Sequence, residues 1–210
     1  MRPPVFLSGP QGSGKTTLLE KLCSKYELFY ENDFDIDSIK EFPSIKVMSH
    51  FERCLLRLYH RIYLTDYATL LSEKHPDKVI LTSRGIKDSE AYIKAYKDFD
   101  WISDDCYSTL EFVLNNFRYK PYTIILNPPF EVVKQRLENR RKQGVRILRD
   151  ELFSHEDTDD FLKSICMHFE QFKNTERVLY LENNEEDDIK KIFDWLDGLK
   201  KVDEPFKPVC

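Results

Sequence analysis

Eight consecutive residues near the start of the chain, Gly9-Pro10-Gln11-Gly12-Ser13-Gly14-Lys15-Thr16, satisfy G-x-x-x-x-G-K-[S/T] without a mismatch. Each fixed position has a chemical task. Glycines let the backbone curl so that successive N–H groups converge on phosphate oxygens. A helix opening at Lys15 adds the positive end of its dipole. The Lys15 ammonium reaches the outer phosphates, and the Thr16 hydroxyl is a hard oxygen donor for magnesium. Gly9, Gln11, Gly12, Ser13, Gly14, Lys15, Thr16 and Thr17 are therefore the candidate nucleotide-binding residues, and Thr16 the candidate metal ligand. Such a match arises by chance in about 1% of chains of this length. Here three of only six glycines fall within residues 9–14, which concentrates the signal further.

Three further groups carry charge suited to phosphate chemistry. Glu31, Asp33 and Asp35 form an acidic stretch, in which Glu31 and then Asp33 are candidates for a general base that accepts a proton from an attacking hydroxyl. Arg84 follows the run Leu81-Thr82-Ser83, and its planar fork suits a phosphate or a sugar hydroxyl. Residues 134–149 hold seven basic side chains and one acidic one, Glu138, in a chain whose formal net charge is −5. Arg136, Arg140 and Arg146, in that order, are candidates to neutralise charge on a transferring phosphoryl group, with Gly144 as a hinge.

The elements that must position these groups follow from short apolar runs. Val5–Leu7, Leu28–Tyr30, Val79–Leu81, Tyr122–Leu126 and Val178–Leu181 read as buried strands. Between them lie helical patterns: Thr16–Lys25, a segment opened by the capping box Ser49-His50-Phe51-Glu52 and reaching Lys74, one capped at Ser103, then Phe130–Lys142, Phe161–Phe172 and Ile189–Leu199. Strands alternating with helices predict a parallel sheet covered on both faces, with ligands beyond the carboxyl ends of its strands.

Composition bounds the rest. With 210 residues, 41% hydrophobic and 13% aromatic, the chain holds enough apolar side chain for one folded domain over residues 1–210. No apolar run approaches the roughly 20 residues that span a bilayer, and the N-terminus lacks the pattern of a signal peptide, so no membrane partner is expected. The acidic total argues against binding duplex nucleic acid. Five widely spaced cysteines with no Cys-x-x-Cys pair point to free thiols and a reducing, cytoplasmic compartment. The five histidines show no ligand spacing. No Asn-Lys-x-Asp or Asp-x-x-Gly element of a signalling GTPase is present.

Taken with Arg84 and Ala91-Tyr92, which lies seven residues on, the phosphate loop makes the chain resemble the thymidylate kinase and deoxynucleoside kinase branch of the P-loop kinases. The resemblance covers about residues 4–175. It implies a three-layer α/β fold with a five-stranded parallel sheet of order 2-3-1-4-5, flanked by helices, and a basic lid at about 140–155. It implies ATP as donor, Mg2+, and a nucleoside, nucleoside monophosphate or similar small metabolite as acceptor. Lys15, Glu31, Asp33, Arg84, Arg136 and Arg140 become the candidate catalytic residues. The helix from Ser49 then walls the acceptor with Phe51 and Arg61, which together with Glu31, Arg84 and Tyr92 are candidate substrate contacts; Tyr96, on one face with Tyr92, is a candidate for the pocket lining. Two residues depart from the pattern: Ser83 stands where the family carries an acid, for which Asp33, Asp35 or Asp88 are positional substitutes, and Asn32 follows Glu31 where the family has proline. A regulatory nucleotide-binding protein and a polynucleotide-end kinase are the alternatives. The stretch Asp98–Asn116 is a candidate homodimer face.

Overall fold

The computed structural model describes residues 1–23, 26, 44, 47–117, 119–144, 152–182 and 186–199. In chain order its elements are β1 (Val5–Ser8), α1 (Lys15–Leu22), α2 (His50–Lys74), β2 (Leu81–Ser83), α3 (Ile86–Asp98), α4 (Asp104–Asn116), β3 (Tyr122–Leu126), α5 (Phe130–Lys142), a 3-10 turn (Ser154–Asp157), α6 (Asp159–Glu170), β4 (Val178–Leu181) and α7 (Glu186–Gly198).

The strands pair in parallel in the order β2-β1-β3-β4. Val5 lies opposite Leu81 on one side and Tyr122 on the other, and Thr123 lies opposite Val178. Side chains of the central strands alternate between two cores. Val5, Leu7, Ile124 and Leu126 pack with Leu18, Leu22, Ile192 and Leu196, under α1 and α7. Phe6 and Ile125 point the other way, Phe6 against Ala68 of α2 and Ile125 into a large cluster with Leu58, Tyr96, Leu110 and Phe161. Both faces of the sheet are thus covered by helices, as expected for a parallel sheet. Full burial of a side chain such as Phe6 contributes roughly 1.5–3 kcal/mol.

The sheet has four strands among the described residues rather than five. The four keep the expected relative order, and Leu28-Phe29-Tyr30, expected as the remaining strand, lies outside the described residues. Glu31, Asp33, Asp35 and Arg146 lie outside them as well. The capping box at Ser49 is present: the Ser49 hydroxyl accepts from the Glu52 N–H, and the Glu52 carboxylate accepts from the Ser49 N–H. Ser103 caps α4 through its hydroxyl, which accepts from the Cys106 N–H. Helix α3 was not among the expected helices, because its Gly85 start carries no capping side chain. No helix among the described residues is long and apolar enough to cross a membrane. The four described cysteines are free thiols, and burial pushes those of Cys54 and Cys166 up to about 12.

Candidate active site

The phosphate loop leaves the carboxyl end of β1 at the middle of the sheet. Its conformation demands glycine at the first position: Gly9 has φ +146°, and a Cβ there would stand 2.2 Å from the Leu126 carbonyl oxygen. Gly12 and Gly14 also take positive φ, and Gly14 caps α1. The Lys15 ammonium lies across the curl, donating to the carbonyls of Gly9 (2.7 Å) and Pro10 (2.8 Å) and to Ser13 Oγ (3.3 Å). Lys15 is buried, whereas Thr16 and Thr17, in the same first turn of α1, are exposed, leaving the Thr16 hydroxyl accessible.

The end of β2 faces the same loop. The Arg84 N–H donates to the Leu7 carbonyl at 2.8 Å, so the ladder continues one residue past β2. There the chain turns into the left-handed region, with Arg84 at φ +59°. A non-glycine residue held there stores strain of order 1–3 kcal/mol, a feature that concentrates at functional sites. Four residues on, the buried Asp88 accepts from the Gly85 N–H (3.0 Å) and from the Gly9 N–H (3.4 Å), and lies 3.9 Å from the Arg84 guanidinium. A carboxylate is therefore held beside the phosphate loop although Ser83 is not acidic.

On the opposite side, α5 carries the first half of the basic segment. Arg136 donates to the carbonyls of Ser13 (2.6 Å) and Gly12 (3.4 Å), gripping the loop from behind. Among the described residues no hydrogen bond or ion pair joins Arg140 to the loop; its neighbour Arg141 instead pairs with Asp157 at 3.1 Å.

Sequence reasoning did not identify Glu156 and Asp157, which form a polar centre with Arg57 of α2 and with Tyr96, the residue expected to line the pocket beside Tyr92. Both terminal nitrogens of Arg57 lie 3.1 Å from Glu156 Oε1, and the Tyr96 hydroxyl donates to the same oxygen. Burial alone would push the Arg57 guanidinium down, but Glu156 together with Tyr96, Cys54 and Tyr92 outweighs it and holds Arg57 well above its ordinary value. Burial, with Glu156 beside it, pushes the Tyr96 hydroxyl well up, so it remains a donor. Arg57 also lies over the rings of Phe153 (5.3 Å) and Tyr92 (5.9 Å). The one sequence signal for this turn is the abrupt change from the basic run to His155-Glu156-Asp157-Thr158-Asp159-Asp160.

The other predicted acceptor residues are placed as follows. Tyr92 is buried beside Phe161. Phe51 is partly buried against the cluster that includes Tyr96. Arg61 is 5% exposed, with a guanidinium nitrogen 3.3 Å from His60 Nδ1, and so lies within α2's buried face. His50 stacks on Trp101 at 5.2 Å and meets His155 with 3.3 Å between their Nε2 atoms.

No protein-family model matches the chain, and no curated protein matches it in sequence. Solved structures do match. Deoxyadenosine kinase from M. mycoides with the products dCMP and a flexible dCDP bound superimposes with a TM-score of 0.66, over 92% of this chain and 98% of its own, at 16% identity. The fold is shared with deoxyadenosine kinase. The same enzyme with dCTP bound gives a TM-score of 0.63 at 17% identity over 92% of this chain and 98% of its own. With dATP bound it gives 0.63 at 16% identity, over 93% and 100%.

Proposed function

We propose that the chain is a nucleoside kinase-like phosphotransferase that moves the γ-phosphoryl group of ATP to a hydroxyl of a deoxynucleoside or nucleoside. The observation that carries the reading is the buried Lys15 ammonium lying across a phosphate loop at the carboxyl end of the central strand, in a fold shared over nearly its whole length with deoxyadenosine kinase. Lys15 and the loop hold the donor, with Thr16 as the magnesium ligand. Magnesium keeps several waters and needs few protein oxygens beside the substrate phosphates, so one accessible hydroxyl with Asp88 nearby fits such an ion. The ion supplies charge neutralisation at the phosphates. Arg84 orients the acceptor. Glu31 or Asp33 takes the proton from the attacking hydroxyl. Arg136 keeps the loop in shape, and Arg140 is drawn to the outer phosphates. Phe51, Tyr92 and Arg61 belong to the acceptor side, where Arg57 and Glu156 join them. A cytosolic location accords with the free thiols.

Ser83 is the feature that favours a binding protein without transfer, and Asp88, held against Gly9, answers it. The two readings separate in one assay: incubation with ATP, magnesium and a panel of deoxynucleosides, nucleosides and monophosphates. Acceptor-dependent ADP formation is expected with at least one deoxynucleoside. ATP binding with no acceptor-dependent ADP would leave the binding-protein reading.

Self-association is part of the proposal. Leu55, Tyr59, Tyr63 and Leu70 are exposed along α2, and Phe112 is exposed on the adjoining α4. The expected species in sedimentation is a dimer that Tyr59→Asp with Phe112→Asp converts to monomer; a monomeric parent chain would refute it.

A further inference from the structure

Resting on the reading that the loop binds ATP, we infer that Gln11 and the 154–157 turn form a link that registers the phosphate loop against the acceptor-side network, so that a nucleotide in the loop is felt at Tyr96, Arg57 and Trp101 before any acceptor binds.

Gln11 occupies a position that the phosphate-loop pattern leaves free, and yet it is 4% exposed. Its amide Nε2 donates to the Glu156 carbonyl at 2.9 Å and to Asp157 Oδ1. The side chain of the same Glu156 holds Arg57 and Tyr96. One residue thus joins the loop by its backbone and the acceptor side by its carboxylate. The path also closes on itself. Asp157 pairs with Arg141 of α5 at 3.1 Å, and one turn earlier on α5 Arg136 holds the carbonyls of Gly12 and Ser13. Loop, turn and helix form a ring of contacts, so displacing the loop displaces the turn. A neutral amide suits this place: it satisfies a buried carboxylate and a buried carbonyl without adding negative charge next to a polyphosphate. Gln11 and Asp157 are positioning residues in this account; neither touches reacting atoms.

Trp101 reports on the turn. Its ring lies 4.9 Å from that of His155 and 5.2 Å from that of Tyr96. The other tryptophan, Trp195 of α7, is partly buried near Tyr122 against the opposite core. In a Trp195→Phe background, titration with the non-hydrolysable analogue adenylyl imidodiphosphate and magnesium is expected to change Trp101 emission saturably, with calorimetry giving the affinity independently. Asp157→Leu is expected to bind the analogue within about twofold of the parent and to lose the emission change by about fivefold or more. Asp157→Asn, which keeps an oxygen for Gln11, should retain it. Gln11→Met should lose it, and adding Asp157→Leu to Gln11→Met should change nothing further, because both remove one link. An emission change as large in Gln11→Met or Asp157→Leu as in the parent overturns the link, as does a bound analogue that leaves Trp101 silent in the parent. Absence of calorimetric binding would instead remove the nucleotide-binding reading on which the link stands. Should Asp157→Leu fail to fold, Gln11→Met alone decides.

Discussion

The Asp88 carboxylate accepts the backbone N–H of Gly9 across 3.4 Å, tying helix α3 to the first residue of the phosphate loop over 79 positions of sequence. The second oxygen of the same carboxylate caps α3 through the Gly85 N–H. Asp88 therefore sets the loop's entry angle and the start of the helix that carries Tyr92 and Tyr96.

Asp88→Ala leaves the Gly9 and Gly85 N–H groups without this acceptor. Each such loss in a buried place costs roughly 1–3 kcal/mol. The expected outcome is a fall in melting temperature together with a loss of turnover on the order of 100-fold, since a misplaced loop spoils alignment of donor and acceptor. Chemical denaturation and acceptor-dependent ADP formation measure the two effects. Unchanged turnover would show that the loop's entry does not depend on Asp88.

Arg84 separates stability from activity. Glycine relieves the left-handed backbone at φ +59°, so Arg84→Gly should hold or raise the melting temperature while lowering turnover about 100–1000-fold, the scale of losing one charge-stabilising group. Arg84→Gly with full activity would exclude the guanidinium from the acceptor site. A marked fall in stability would mean that its ion pair with Asp88 outweighs the strain.

His50 and His155 give the fold an acid-sensitive spot. Burial lowers the pKa of each, and for His50 the Arg53 charge lowers it further; Arg57 acts in the same direction and Glu156 opposes it. Both therefore protonate more readily in the unfolded chain, near pH 6.5, than in the folded one. Two ring nitrogens 3.3 Å apart share one proton and repel a second. The contribution is fully present above about pH 6.5 and is lost as pH falls through the depressed folded values. Melting temperature measured from pH 8 to pH 5 should drop below about pH 6.5, and His50→Phe, which keeps a ring on Trp101, should flatten that drop. An equally steep drop in His50→Phe would assign the sensitivity to other groups.

The four described strands and the phosphate loop were legible because their signals are local. The largely apolar runs of β1 and β3, the capping box at Ser49 and the eight-residue phosphate loop each lie within a few consecutive residues. Arg136 was expected over the phosphates as the first arginine of a basic helix after β3, whereas it contacts the loop carbonyls of Gly12 and Ser13. The polar centre was not legible. Arg57 and Glu156 meet across 99 positions, and Gln11 and Asp157 across 146. No periodicity or spacing encodes such pairs; they exist only once α2, α3 and the 154–157 turn are packed. For Ser83 the sequence offered Asp33, Asp35 and Asp88 as substitutes for the missing acid without choosing among them; it is packing of α3 against the loop that brings Asp88 to Gly9.

The central claim is that this loop holds a nucleotide whose terminal phosphoryl group is transferred. Phosphorus NMR of the chain with ATP, magnesium and deoxyadenosine, run beside Lys15→Ala, tests it most directly. A nucleoside monophosphate signal should grow in step with ADP for the parent chain and not at all for Lys15→Ala. Equal product in both samples, or ATP left intact with every deoxynucleoside tried, would contradict it.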